Sequence, residues 1–122
     1  AFFDKKNIIV PVTDKNTLEI SAHKITNDTE FTSGVFSLTE PVVLNEFDVD
    51  EIDFVLVPGI AFSASGARIG FGKGCYDKFL KKQSHATLVG VGYDFQLVDK
   101  VPAEKHDQKV HRVIIPSQTI LV

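Results

Sequence analysis

Apolar residues fall in short runs along this chain, and the spacing inside each run sets the element it predicts. Residues 8–12 (IIVPV) are β-branched and read as a strand, with Pro11 marking its end. From residue 18 to 25 apolar and polar positions alternate, Leu18, Ile20 and Ala22 against Glu19, Ser21 and His23. That alternation predicts a strand with one solvated face and His23 on the outside. Asp14-Lys15-Asn16 is a turn, so the two strands are expected to form a hairpin. Residues 1–7 read as the tail of an element, and residues 26–41 are turn-rich. Residues 46–53 carry Glu46, Asp48, Asp50, Glu51 and Asp53. They read as a solvated acidic connection rather than a metal cluster, because calcium-loop spacing and its glycine are missing.

The second half holds longer apolar runs. Residues 54–57 (FVLV) predict a buried strand that Pro58-Gly59 ends. Residues 75–82 are helix-compatible, with Tyr76, Phe79 and Leu80 on one side. Residues 87–93 (TLVGVGY) predict a second buried strand, and residues 110–115 (VHRVII) a last one. Strand, helix, strand from 54 to 93 is a βαβ unit, so its strands should be parallel. Ligands in such sheets sit beyond the carboxyl ends of the strands. The segment after Val57 and the segment Tyr93-Asp94-Phe95-Gln96 leave at that same end. The fold class expected is α/β: one domain over residues 1–122, with a mainly parallel sheet flanked by helices in a Rossmann-like three-layer arrangement and an antiparallel hairpin near the start.

Between strand and helix lies the stretch with candidate chemistry. It carries Gly66, Gly70, Gly72 and Gly74, with Arg68 and Lys73 among them and Tyr76, Asp77 and Lys78 following. Glycine lets backbone N–H groups approach a ligand closely, and such groups attract anions. Arg68 and Lys73 add full positive charge. Asp77 is a carboxylate placed to hold a divalent cation beside bound phosphates. The pattern is neither the Walker loop, since Gly74 follows Lys73, nor the dinucleotide fingerprint, since the spacing is GxGxG. Local mechanics give a phosphate-binding loop and no more.

Composition narrows the setting. A net charge of −3 over 122 residues argues against a general nucleic-acid binder. One cysteine, Cys75, allows no intrachain disulfide and fits a reducing, cytoplasmic compartment. A nucleophilic role for it is disfavoured, because no His stands beside it in sequence. No apolar run approaches a membrane span.

The segment Pro58-Gly59-Ile60-Ala61-Phe62, then Gly66-Ala67-Arg68-Ile69-Gly70-Phe71-Gly72-Lys73-Gly74-Cys75-Tyr76-Asp77, resembles the signature of 5-formyltetrahydrofolate cyclo-ligases, also called 5,10-methenyltetrahydrofolate synthetases. Ser63 stands where that family usually has Asp, Cys75 where it usually has Tyr, and His111 where an Asp is usual near the last strand. The resemblance covers nearly the whole chain but begins partway through the family's sequence, so an N-terminal part of the family's chain is expected to be missing. It implies cyclisation of 5-formyltetrahydrofolate to 5,10-methenyltetrahydrofolate, with ATP as co-substrate, Mg2+ as cofactor, and ADP and phosphate released. Arg68 and Lys73 would be the catalytic electrostatic clamps. Gly70, Gly72, Gly74, Cys75, Tyr76 and Asp77 would join them around ATP, with Asp77 on the metal. Tyr76 would also meet the folate. So would Phe36, in a segment ending Glu40-Pro41 that resembles the family's pterin-pocket stretch; a core phenylalanine is the equal alternative. His106-Asp107 would buttress the loop or stand on the surface. The partners implied are these small molecules alone, with a monomer expected. Another α/β enzyme acting on a phosphorylated sugar or CoA ester, or a non-catalytic nucleotide-binding module, would use the same loop.

Overall fold

A computed structural model describes residues 6–70, 74–83, 85–102 and 108–122, with the backbone alone at Phe36. The chain divides into two compact units, Ala1–Glu51 and Ile52–Val122.

In the first unit, strand β1 (Ile8–Thr13) pairs antiparallel with β2 (Ile20–Ile25), from Ile8 opposite Ile25 to Thr13 opposite Ile20. This is the expected hairpin. Its turn is fixed by Asp14, whose Oδ1 accepts the N–H groups of Asn16 at 2.7 Å and Thr17 at 2.9 Å. Leu18 closes the turn at φ +60°, a left-handed conformation that costs a branched side chain energy. Pro11 lies inside β1 rather than at its end, opposite Ala22. The Ala22 carbonyl points away from β1 and accepts the Phe47 N–H at 2.9 Å. The pair is therefore a non-hydrogen-bonded one, and proline's missing donor costs the ladder nothing.

His23 departs from expectation. It is 4% exposed, and its Nε2 lies 2.8 Å from Ser21 Oγ. The reason is a third segment along the far edge of β2. The Lys24 N–H bonds the Asn45 carbonyl at 2.9 Å, and His23 lies opposite Glu46. That makes β2 central, and both its faces are covered at Ala22 and His23. The turn-rich stretch holds a short antiparallel hairpin, β3 (Phe31–Ser33) with β4 (Thr39–Pro41), around a 3-10 turn at Val35–Ser37. In the acidic stretch, Val49–Glu51 forms a second 3-10 turn that starts where Asp48 Oδ1 accepts the Asp50 N–H.

The second unit is built on a sheet. Strands β5 (Phe54–Val57), β8 (Thr87–Val91) and β9 (Arg112–Ile115) run parallel, and β10 (Gln118–Leu121) adds an antiparallel edge, in the order β10-β9-β8-β5. Helix α1 (Cys75–Lys81) lies between β5 and β8 in sequence, so the expected parallel βαβ unit is present. The fold is thus mixed α/β with a mainly parallel sheet. Two short strands interrupt the glycine-rich segment, β6 (Ala61–Phe62) and β7 (Arg68–Ile69), paired antiparallel.

One face of the sheet carries Val57, Leu88, Val113 and Ile115, all buried, with Phe62 and Leu80 in the same core. Strand alternation puts Phe54 and Leu56 on the other face. They are 66% and 71% exposed, so β5 is not the buried strand its composition suggests. It is an edge strand whose apolar run faces two environments. The pairing register puts exposed Val91, Ile114 and Leu121 on that same face, along with buried Val89. Among the described residues no helix is long and apolar enough to cross a membrane.

Candidate functional site

The turn that follows β5 is held by side chains from far along the chain. Three successive carbonyls accept from two residues. Pro58 O accepts from Arg68 Nη1 at 3.2 Å, and Gln96 Nε2 donates to Gly59 O at 3.0 Å and Ile60 O at 3.2 Å. Gln96 sits in a 3-10 turn, Asp94–Gln96, just past the carboxyl end of β8, and its Oε1 accepts the Tyr93 N–H at 2.8 Å. One amide therefore ties the carboxyl end of β8 to that of β5. The expected convergence of those two strand ends is present, and Gln96 is the group that makes it.

Beneath the turn lies Phe62, with no exposed surface. A Cβ on Gly90 would meet its ring at 2.5 Å, and one on Gly59 at 2.9 Å. Those two glycines leave the space the ring fills. The β6–β7 hairpin then turns at Gly66, φ +86°, where a Cβ would stand 2.5 Å from the Val110 carbonyl oxygen. Ser63, in the position of the resembling family's Asp, is buried with Oγ 2.8 Å from Ser65 Oγ.

Arg68 emerges from this hairpin 6% exposed. Its Nη2 lies 3.1 Å from Asp77 Oδ1 on α1, which also accepts the Gln108 N–H at 3.3 Å. Arg68 Nε is buried and, among the described residues, has no hydrogen-bond partner. A Cβ at Gly70 would stand 2.8 Å from Arg68 Nη1, so glycine there leaves the guanidinium its place. Two residues expected to serve separately, one on phosphate and one on a metal, are thus an ion pair. Gly74 caps α1 at φ +68°, and among the described residues nothing stands within 4 Å of a Cβ added there. Cys75 and Tyr76 follow, both half-buried. Burial pushes the Tyr76 phenol above its ordinary pKa; the Arg68 cation opposes that rise and Cys75 adds to it. Tyr76 therefore enters neutral pH as a hydroxyl donor.

Gly72, Lys73, His106 and Asp107 lie outside the described residues. Phe36 belongs to the 3-10 turn of the first unit. His111, just before β9, bonds to β8. Its Nδ1 accepts the Leu88 N–H at 2.9 Å while its own N–H bonds the Leu88 carbonyl at 2.8 Å. Among the described residues no cluster of three or more His, Cys, Asp or Glu could hold a metal. Magnesium commonly takes one or two carboxylates and completes its shell with water and phosphate, a demand that Asp77, with 23% of its side chain exposed, can meet.

The chain matches the 5-formyltetrahydrofolate cyclo-ligase family over residues 1–116. It belongs to that family. A 5-formyltetrahydrofolate cyclo-ligase of Mycolicibacterium smegmatis is 38% identical over 89 residues, 70% of this chain and 46% of the relative. The Escherichia coli enzyme of the same name is 30% identical over 115 residues, 91% of this chain and 62% of the relative. The solved structure of Aquifex aeolicus 5,10-methenyltetrahydrofolate synthetase superposes with a TM-score of 0.82 at 32% identity, over 97% of this chain and 59% of that one. A Mycoplasma pneumoniae synthetase shares the fold, with a TM-score of 0.70 at 24% identity over 93% of this chain and 58% of that one. The chain therefore spans about half to three-fifths of the length of these cyclo-ligase relatives. Within the family's fold, the glycine segment and the Gln96 turn share the carboxyl edge of the parallel strands.

Proposed function

We propose that this chain acts as a 5-formyltetrahydrofolate cyclo-ligase, which uses ATP to close 5-formyltetrahydrofolate to 5,10-methenyltetrahydrofolate. The observation that carries the reading is the family match over residues 1–116, which includes the whole glycine segment. The formyl oxygen attacks the γ-phosphorus of ATP. The folate nitrogen at position 10 then closes the ring, and phosphate leaves. No protein nucleophile is required; the protein aligns two substrates and neutralises charge on a transferring phosphoryl group.

Gly70, Gly72 and Gly74 supply backbone N–H groups to the phosphates, with Cys75 and Tyr76 completing the wall. Lys73 brings a compact charge on a long stem. Arg68 contributes positive potential from a fixed place, held by Asp77 and Pro58. Tyr76 contacts the folate. Asp77 is the carboxylate for magnesium, which when bound offsets phosphate charge. Helices on both faces of the sheet, in a Rossmann-like three-layer arrangement, complete the reading; the exposure of Phe54 and Leu56 supports it. The setting is a cytoplasmic monomer acting on small molecules.

The test is a coupled assay with magnesium, ATP and 5-formyltetrahydrofolate. Methenyl product, followed by its near-ultraviolet absorbance, and ADP should rise in step. ADP without methenyl product would leave a nucleotide hydrolase. Silence in both would overturn the catalytic reading.

A further inference from the structure

At the carboxyl edge of the sheet two aromatic rings stand in the open. Tyr93 is 66% exposed and Phe95 81% exposed. Their planes lie within 8° of parallel, with centroids 5.8 Å apart. Isolated exposed aromatics are ordinary, but these are presented by a turn fastened on both flanks. Gln96 holds it to Gly59 and Ile60 beyond β5, and Asp94 Oδ1 accepts the Ser117 N–H at 3.1 Å beyond β9. The turn thus bridges the carboxyl ends of three parallel strands, where ligands of open α/β sheets bind. The side chains of Asp94 and Gln96 are spent on anchoring. Those of Tyr93 and Phe95 are left facing solvent on a rigid base.

We propose that Tyr93 and Phe95 form a stacking platform for the purine base of the nucleotide whose phosphates the glycine segment holds. The inference rests on the nucleotide reading above. A flat heteroaromatic ring is the ligand chemistry that parallel, exposed π-faces recognise, and stacking needs no hydrogen-bond code. The backbone that carries the pair gives up little freedom on binding, because the turn is already set.

Calorimetric titration of the protein with magnesium-ATP and, separately, with magnesium tripolyphosphate separates base from phosphate contacts. The wild type should bind ATP more tightly than tripolyphosphate. Phe95→Ser and Tyr93→Leu should each weaken ATP about tenfold and leave tripolyphosphate unchanged. Thermal unfolding within a degree or two of wild type would show that both variants fold, as expected for exposed side chains. If ATP affinity is unchanged in both variants, or falls together with that of tripolyphosphate, the platform is overturned while the phosphate site stands. If the variants lose 5-formyltetrahydrofolate instead of ATP, the rings serve the other substrate and the proposal fails. If the wild type binds neither ATP nor tripolyphosphate, the nucleotide reading and the platform fall together.

Discussion

Arg68 Nη2 stands 3.1 Å from Asp77 Oδ1, across the glycine segment that separates the two residues in sequence. The pair is asymmetric, with the Arg68 side chain 3% exposed and that of Asp77 23%. Removing the carboxylate takes from a buried cation the counter-charge that the described residues give it, whereas removing the cation leaves an acid that water can reach. Asp77→Ala should therefore cost about 3–5 kcal/mol. Asp77→Asn keeps the Oδ1 acceptor for Arg68 and Gln108 and should cost about 1–3 kcal/mol. Urea unfolding of the three proteins measures both. Equal losses in the two variants would mean that charge adds nothing to the hydrogen bonds.

Phe62 and Gly90 test the floor beneath the site. A methyl group at residue 90 would stand 2.5 Å from a ring that has no exposed surface in which to retreat. Gly90→Ala is expected to destabilise by about 1–3 kcal/mol. Phe62→Leu in the same chain should recover part of that loss, since the smaller side chain vacates the space the methyl needs. A double variant no more stable than the sum of the single losses would show that the clash lies elsewhere. Thermal unfolding of the four combinations closes the cycle.

Parts of this arrangement were legible in the residues and parts were not. β5, α1 and β8 follow from apolar runs punctuated by Pro58-Gly59 and the glycines, because burial and turn chemistry both write themselves locally. The β6–β7 hairpin did not, since strands of two residues carry no period. β10 lies in so short a tail that only its pairing with β9 makes it a strand. His23 kept the polar phase of its strand, and nothing near it in sequence announced the segment 45–47 that covers it. Phe54 and Leu56 read as buried because composition cannot tell which face of an edge strand meets the core. At the site, the chemistry-bearing residues were visible by type, but the Arg68–Asp77 pair depends on where α1 begins after the turn, and the Gln96 latch on a contact 36 and 37 residues distant.

Tyr76 gives the site a signature at high pH. Its folded-state pKa is raised by burial, against an unfolded value near 10. Below the unfolded value both states hold the proton, and stability is independent of this group. As pH rises past about 10 the unfolded chain releases the proton first, so stability falls until the folded pKa is reached. Lysines titrate in the same range, so the informative quantity is the difference between wild type and Tyr76→Phe. The variant should lose stability less steeply between about pH 9 and 11. Identical slopes would mean that the phenol is as well hydrated folded as unfolded.

Lys73 decides whether the loop acts on the reaction or only on binding. A cation that meets the phosphoryl group mainly as charge moves onto the leaving ADP lowers the barrier more than it stabilises bound ATP. Lys73→Ala should then reduce kcat tenfold or more with a smaller change in KM for ATP, the loss of an electrostatic contact being worth about 1.4 kcal/mol per factor of ten. Lys73→Arg keeps the charge but spreads it over a planar fork, and should retain more of the rate than alanine does. A raised KM with kcat intact would instead make Lys73 a ground-state anchor, bound equally to substrate and transition state. Unchanged kcat and KM would remove Lys73 from the mechanism and leave Arg68 as the cation that the phosphoryl group meets.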